Sequence, residues 1–136
     1  MLWVLAGLAG LVSVAPRLDQ ALQSGIADAS VDGVAIPRAP DGQFYTDARA
    51  GDAPIRMLID PRADKVLLSG EDAQRLGLVP GPGFAAVTLP KLAVGGIEVH
   101  EVEAVIAPDL PVSLLGQSYL KRIGAVRVEA ERMVLR

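Results

Sequence analysis

Residues 55–78 decide the fold class of this chain, and they read IRMLIDPRADKVLLSGEDAQRLGL. An apolar run ends in a single acid, Asp60, and a short turn leads into a second apolar run, VLL. This pattern predicts a strand, a turn and a strand, with the acid at the tip. Ser69 followed three residues later by Asp72 is typical of a helix N-cap with an acidic first turn, and Gly77 predicts the end of a two-turn helix.

The rest of the chain predicts short strands joined by turns. The pair Gly95-Gly96 is a favoured two-residue hairpin turn. Because strands are numerous and no strand alternates with a long helix, the sequence predicts an all-β fold, a small closed or partly open barrel with one or two short helices. The predicted strands are 43–49, 54–59, 84–89, 91–94, 97–107, 112–116, 125–129 and 132–135, and a second short helix is predicted at 117–123.

Composition fits one domain and excludes several classes of function. A chain of 136 residues can bury one core but not two. Its 13 basic and 16 acidic side chains give a net charge of -3 and are spread along the chain, which argues against nucleic acid as a partner. With no Cys and one His, disulfides and transition-metal sites are not expected, and we predict no metal and no cofactor.

The N-terminal residues 1–15 are apolar apart from Ser13, and Pro16 ends the run. Three interpretations stay open: an uncleaved membrane anchor, a cleaved secretory signal, and a buried helix. The anchor is favoured over the signal because no Lys or Arg precedes the run, and over the buried helix because the run has no polar face. Residues 16–40 are small and polar and predict a flexible tether, so the folded domain is predicted at 41–136.

Four motifs follow one another along the chain: DGQF at 41–44, LID at 58–60, the helix after Ser69, and LLGQSYL at 114–120. In this order they resemble the retropepsin-like aspartic peptidases, the retroviral type, and most closely their bacterial, membrane-anchored members with one domain per chain. The resemblance covers residues 34–136. It implies a retropepsin-like barrel, one candidate catalytic acid per protomer in Asp60, and a second motif in Leu114, Leu115 and Gly116. It also favours a membrane anchor, with the domain periplasmic or extracytoplasmic.

The chain departs from this family at the catalytic turn. The family's Asp-Thr-Gly is here Asp60-Pro61-Arg62, followed by Ala63. Pro61 has neither a hydroxyl nor an amide hydrogen. If Arg62 turns inward, it favours the ionised form of Asp60, and if it points to solvent it has no such effect. Asp60 itself has a non-catalytic interpretation, since an acid can also cap a tight turn by accepting backbone amides.

The segment of this chain that corresponds to the family's lid is also short. In the family a hairpin, the flap, closes over bound peptide, whereas residues 79–90 suffice for one strand and a link but not for a projecting hairpin. Without a lid, exclusion of water and positioning of substrate both suffer.

These departures leave two classes of function. Aspartic peptidases use two carboxylates about 3 Å apart that share one proton. Because this chain has one such acid, catalysis requires a homodimer with one Asp60 from each protomer. The prediction is a membrane-tethered member of the family that acts on or binds a peptide or protein, with weak or no peptidase activity. The alternatives are an active homodimeric aspartic endopeptidase and a periplasmic β-domain that binds a peptide or partner strand.

Overall fold

The computed structural model describes residues 28–30 and 33–136, and these residues form ten strands and two short helices. Strands dominate this part of the chain, as the sequence predicts. The strands are β1 (Asp28–Ser30), β2 (Gly33–Pro37), β3 (Tyr45–Ala50), β4 (Ala53–Ile59), β5 (Val66–Ser69), β6 (Ala85–Val94), β7 (Ile97–Ala107), β8 (Ser113–Leu115), β9 (Val126–Val128) and β10 (Arg132–Leu135), and the helices are α1 (Gly70–Arg75) and α2 (Gln117–Leu120).

Six strands close into a barrel in the order β3-β4-β8-β5-β7-β6. Along β3 the side chains of Thr46, Ala48 and Ala50 are buried, while Asp47 and Arg49 between them are exposed. This period of two is that of a strand with one face on a core. The predicted all-β fold class, a small barrel with short helices, is therefore confirmed.

The other four strands form a separate antiparallel sheet in the order β1-β2-β10-β9. Val34 and Ile36 of β2 lie opposite Leu135 and Met133 of β10, and all four side chains are at most 3% exposed. The sheet therefore contributes directly to the hydrophobic core.

Strand β2 corrects the predicted boundary between tether and domain. The sequence predicts a tether through residue 40, whereas Gly33–Pro37 is a strand paired with β10. The small and polar composition of this segment suggests a linker, but it contains two apolar side chains at alternate positions, Val34 and Ile36. These bury against β10 and make the segment a strand. The predicted anchor at 1–15 and residues 16–27 lie outside the described residues. Within the described residues, no helix is long and apolar enough to cross a membrane.

The strands predicted at 84–89 and 91–94 are one continuous strand, β6, which carries Pro90 in its middle. The ladder between β6 and β7 pairs Leu89 with Val102 and Lys91 with His100, but leaves out Pro90 and Glu101, the residue opposite it. Proline has no N–H to donate, and the residue opposite, Glu101, adopts a left-handed φ of 53°. One missing pair does not end the strand, because nine other pairs hold it.

The helix predicted at 117–123 is shorter in the structure. Helix α2 ends at Leu120, and the N–H of Gly124 donates to the carbonyl of Arg136 at 2.7 Å. The chain after the helix is therefore bound to the C-terminal residue and leads into β9. Helix α1 agrees better with the prediction, since the Ser69 hydroxyl accepts the N–H of Asp72 as an N-cap.

Candidate functional site

Asp60 directly follows β4 and lies at the tip of the predicted turn. Its N–H donates to the carbonyl of Leu115 at 3.1 Å, and its own carbonyl accepts the N–H of Ala63 at 3.1 Å. The carboxylate is 20% exposed. The backbone of Asp60 is thus fixed by strand β8 on one side and by its own turn on the other, while the side chain still reaches solvent.

The structure brings the second predicted motif next to this turn. Strand β8 runs parallel to β4, with Leu114 opposite Leu58 and Leu115 opposite Ile59. Gly116, which follows, is buried against the turn: a Cβ there would meet the carbonyl of Lys65 and lie 2.7 Å from that of Ala63. Only glycine permits this approach of two backbones.

Gln117 closes the contact between the two motifs. Its N–H donates to the carbonyl of Ala63 at 2.8 Å, and its side-chain Nε2 donates to the carbonyl of Pro61 at 2.8 Å. The turn that carries Asp60 is therefore held from outside as well as by its own bond. Gln117 lies within the LLGQSYL motif, but the sequence does not predict this role. The two partners of the hydrogen bond are 56 residues apart, so no local pattern indicates it.

Arg62 contacts the Asp60 carboxylate in two ways. Its backbone N–H donates to Asp60 Oδ1 at 3.0 Å, and its side-chain Nε donates to the same oxygen at 3.2 Å. The Arg62 side chain is nevertheless 92% exposed. The sequence left open whether Arg62 turns toward Asp60 or points to solvent. Both occur in part, because the guanidinium reaches solvent while its Nε contacts the Asp60 carboxylate. Through the backbone bond, Asp60 also caps its own turn, which is the non-catalytic role that the sequence allows for it.

A buried polar network lies behind the second motif. Ser113, fully buried at the start of β8, donates from Oγ to Asp72 Oδ2 at 2.5 Å and accepts the N–H of Ser69 at 3.0 Å. Asp72 is itself 6% exposed and contacts Arg75 at 3.4 Å. This network joins α1, β5 and β8. The sequence indicates the cap of Ser69 and Asp72, but nothing in it links Asp72 to Ser113.

Helix α2 is bound to the barrel through two hydroxyls. Ser118 Oγ accepts the N–H of Val66 at 2.9 Å and donates to the carbonyl of Glu103 at 2.6 Å. Tyr119 donates from its hydroxyl to the carbonyl of Ile97 at 2.8 Å. Burial raises the pKa of Tyr119 from 10.0 to about 12, because phenolate has no solvent there. The helix after Gly116 is therefore rigidly placed.

Residues 79–84, at the start of the segment where the resemblance places a flap, form no strand. Val79 and Phe84, at the two ends of this segment, are 90% and 81% exposed. Among the described residues, no group of three or more His, Asp or Glu side chains could hold a metal ion. The arrangement around Asp60 offers one carboxylate, one guanidinium and backbone groups for chemistry or binding.

Comparison with known proteins relates both motifs to one family. The model of the family described as "gag-polyprotein putative aspartyl protease" matches residues 46–122, which include the Asp60 turn and the Leu114-Leu115-Gly116 motif. Among solved structures, a retropepsin-like aspartic protease from Rickettsia conorii superimposes with a TM-score of 0.70 at 28% identity, over 80% of this chain and 92% of that chain. The retroviral protease-like domain of Ddi1 from Leishmania major has a TM-score of 0.51 at 13% identity, over 69% and 96%, a likeness of fold alone.

Two curated proteins are similar in sequence. "Uncharacterized protein RP867" of Rickettsia prowazekii (strain Madrid E) is 29% identical over 116 residues, which is 75% of this chain and 50% of that protein. "Uncharacterized protein in cobV 5'region" of Sinorhizobium sp is 29% identical over 119 residues, or 76% and 51%. The chain therefore spans about half the length of the curated relatives it matches.

Proposed function

This chain belongs to the gag-polyprotein aspartyl protease family, with its retropepsin-like fold, and we propose that it is a membrane-tethered member with weak or no peptidase activity. The observation that supports this proposal is the double contact of Arg62 with Asp60 Oδ1. In a working dyad each carboxylate must be directed at its partner and at a water. Here one oxygen of the acid is already bound within its own turn.

Pro61 and Arg62, which stand where the family has Thr and Gly, also disfavour the dimer that the dyad requires. Each chain supplies one such turn, so the second carboxylate has to come from another copy. Pro61 offers no hydroxyl and no N–H to bond across a two-fold axis. Two copies of Arg62 would place two positive charges near that axis, and like charges that are partly shielded from water repel.

We propose that the domain lies on the periplasmic or extracytoplasmic side and that the apolar run at 1–15 is its membrane anchor. The support for this is the sequence alone: a run without charge that approaches the length of a bilayer span.

An active homodimeric endopeptidase is the second candidate function. The likeness to the Rickettsia conorii protease favours it, since that structure covers 80% of this chain. The placement of Asp60 beside the Leu114-Leu115-Gly116 motif is what such an enzyme would need of each protomer.

One experiment separates the two candidates. The full chain is incubated with an unbiased peptide library between about pH 3 and 7, the range in which a carboxylate pair shares a proton. Products are read by mass spectrometry, with Asp60→Asn as the control. We expect little or no cleavage. Efficient cleavage that disappears in Asp60→Asn would overturn the proposal in favour of the active dimer.

A second variant tests the assigned cause. The double change Pro61→Thr with Arg62→Gly removes the guanidinium and supplies a hydroxyl. We expect it to form more dimer in sedimentation and to gain cleavage that depends on Asp60. A double variant that folds but matches the parent in mass and activity would show that the turn is not what limits activity.

A further inference from the structure

We propose that the outer edge of the Arg62 guanidinium binds a carboxylate carried by an extended peptide. This inference rests on the proposed function, because a site that does not consume peptide can be used to hold it. The altered turn would then be a recognition site, in which the former catalytic acid holds an arginine in place.

The contacts of Arg62 leave its binding edge free. The guanidinium has five N–H donors, of which the one on Nε points to Asp60 Oδ1. Among the described residues, no hydrogen bond or ion pair engages Nη1 or Nη2, and the side chain is 92% exposed. The two terminal nitrogens form a planar fork that matches the two oxygens of a carboxylate.

The turn presents this fork in a fixed position. The carboxylate of Asp60 contacts Arg62 at both its backbone N–H and its Nε, so the residue is held at the backbone and again at the guanidinium. The Pro61 ring restricts the backbone before it, and Gln117 Nε2 holds the Pro61 carbonyl at 2.8 Å. Ordering a long, free side chain normally opposes binding, and here part of that entropy is already lost in the unliganded protein.

Other arginines in the described part of the chain do not share this arrangement. Arg38 uses Nη1 and Nη2 on backbone carbonyls, Arg75 uses both on its own helix, and Arg56 uses Nη1 on Asp47. Arg127 and Arg132 resemble Arg62 in that their Nε atoms contact a carboxylate, that of Glu129, at 3.8 Å and 2.7 Å. The side chain of Glu129 is one bond longer than that of Asp60, and it is shared by the two arginines.

The neighbouring acid can take part in the same complex. Asp60 Oδ2 has no hydrogen-bond partner among the described residues, and it can accept an N–H from the backbone of the bound peptide. A peptide that offers an N–H and, further along, a carboxylate would thus satisfy both side chains. The carboxylate can be the C-terminus of the peptide or an acidic side chain, since the fork binds either.

The test is a titration of the full chain with three N-acetylated pentapeptides of alternating alanine and valine. The first ends in a free carboxylate, the second ends in an amide, and the third ends in an amide but has glutamate at its centre. Binding is followed by NMR at low salt. We expect at least one acid to bind about two- to fivefold tighter than the neutral peptide, the range of an exposed ion pair. The first and third peptides then tell which source of carboxylate is preferred.

Variants make this test specific to the fork. Arg62→Gln should abolish the preference for the acids, while the matched change Arg132→Gln should keep it. Arg62→Lys keeps the charge but not the fork and should lose most of the preference. Equal binding of all three peptides, no binding of any, a preference that survives in Arg62→Gln, or one that is unchanged in Arg62→Lys would overturn the inference.

The two proposals fail in different ways. The same mixtures are examined for cleavage products by mass spectrometry. Efficient hydrolysis of the peptides that disappears in Asp60→Asn would overturn the proposed function. Intact peptides that show no preference for a carboxylate would overturn only the role of Arg62.

Discussion

At the scale of single residues, Gly116 shows how closely the two motifs approach. Its φ of -104° and ψ of -165° are open to any residue, so its conformation does not require glycine. What requires it is space, because the carbonyl oxygens of Lys65 and Ala63 occupy the place of a Cβ. Backbone atoms cannot rotate away as a side chain would, and the turn that carries Asp60 would have to move.

Gly116→Ala should therefore lower the free energy of unfolding by about 3 kcal/mol, the upper range for overpacking a tight site. Urea unfolding followed by circular dichroism measures this. Gly96→Ala is the matched control, since nothing lies within 4 Å of a Cβ built there, and it should change stability by less than about 0.5 kcal/mol. Equal effects of the two changes would contradict the close approach.

Residue identities at the site could be predicted from the sequence, but their contacts could not. Asp60, Pro61, Arg62 and the apolar pair before Gly116 stand in a recognisable order along the chain. The bond from Arg62 Nε to Asp60 depends on which rotamer an exposed side chain adopts, and spacing does not encode that. The bond from Gln117 to Pro61 depends on two loops that meet only in the folded chain.

At the scale of elements, α1 and β8 are joined by polar groups inside the core. A buried carboxylate is tolerated only where hydrogen bonds replace water. Asp72 obtains one of these bonds from Ser113, on a strand 41 residues away in the chain. Strand β8 is consequently held by the helix on one side and by β4, next to Asp60, on the other.

Ser113→Ala should lower the free energy of unfolding by about 2 kcal/mol, because it leaves both Asp72 Oδ2 and the N–H of Ser69 without that partner in the core. Thr88→Ala, at an exposed position of β6, is the control and should have almost no effect. Denaturant midpoints of the two variants give the comparison. A Ser113 variant as stable as the parent would mean that water replaces the hydroxyl.

The bond between α2 and β7 predicts a dependence on alkaline pH. The pKa of Tyr119 is about 12 in the folded chain and 10.0 when exposed, so the folded state retains the proton more strongly. Its contribution is complete below pH 10 and is lost as the pH rises toward 12, at up to about 1.4 kcal/mol per pH unit. Tyr119→Phe, which has no phenol to titrate, should lack this part of the loss.

Urea unfolding at pH 8 to 11.5 checks this expectation. At pH 8 the phenylalanine variant should be about 1 kcal/mol less stable, because the bond to the Ile97 carbonyl is missing. The gap should close above pH 10. Tyr45, whose pKa is raised by its hydrogen bond to Asp41, titrates in both proteins and cancels in the difference. A constant gap would place the Tyr119 hydroxyl in contact with water.

Elements differ in how far the sequence determined them. The two-residue turn at Gly95-Gly96 predicted the hairpin of β6 and β7. Pro90 suggested a break because proline interrupts a ladder, but the long partner strand outweighs one missing pair. The end of α2 was predicted too late, since the bond from Gly124 to Arg136 joins residues that are neighbours only after folding.

At the scale of the whole molecule, the hydrophobic core is completed by a second sheet, whose strands come from both ends of the described chain. Val34 and Ile36 were assigned to a tether because two apolar residues in a polar segment are a weak signal. Their burial depends on β10, which lies at the other end of the described chain and therefore leaves no signal within residues 16–40. The folded domain thus extends to the N-terminal side of Asp41.

A chain shortened to begin at residue 41 should consequently be much less stable than one that begins at residue 28. It loses two fully buried side chains, each worth about 1.5–3 kcal/mol, and uncovers Met133 and Leu135. Several kcal/mol is a large part of the stability of a small domain. Thermal unfolding of the two chains measures the difference. Equal midpoints would show that β2 does not belong to the cooperative unit.

The pairing of β2 with β10 also has a consequence for synthesis of the protein. Val34 lies opposite Leu135, so roughly a hundred residues must be translated before β2 meets β10, about 5–20 s on the ribosome at typical elongation rates. During that interval Val34 and Ile36 lack the strand that buries them, and chaperones recognise such exposed apolar side chains. A message cut only a few codons short would leave these side chains exposed permanently, and we expect its product to be degraded although both motifs around Asp60 are intact.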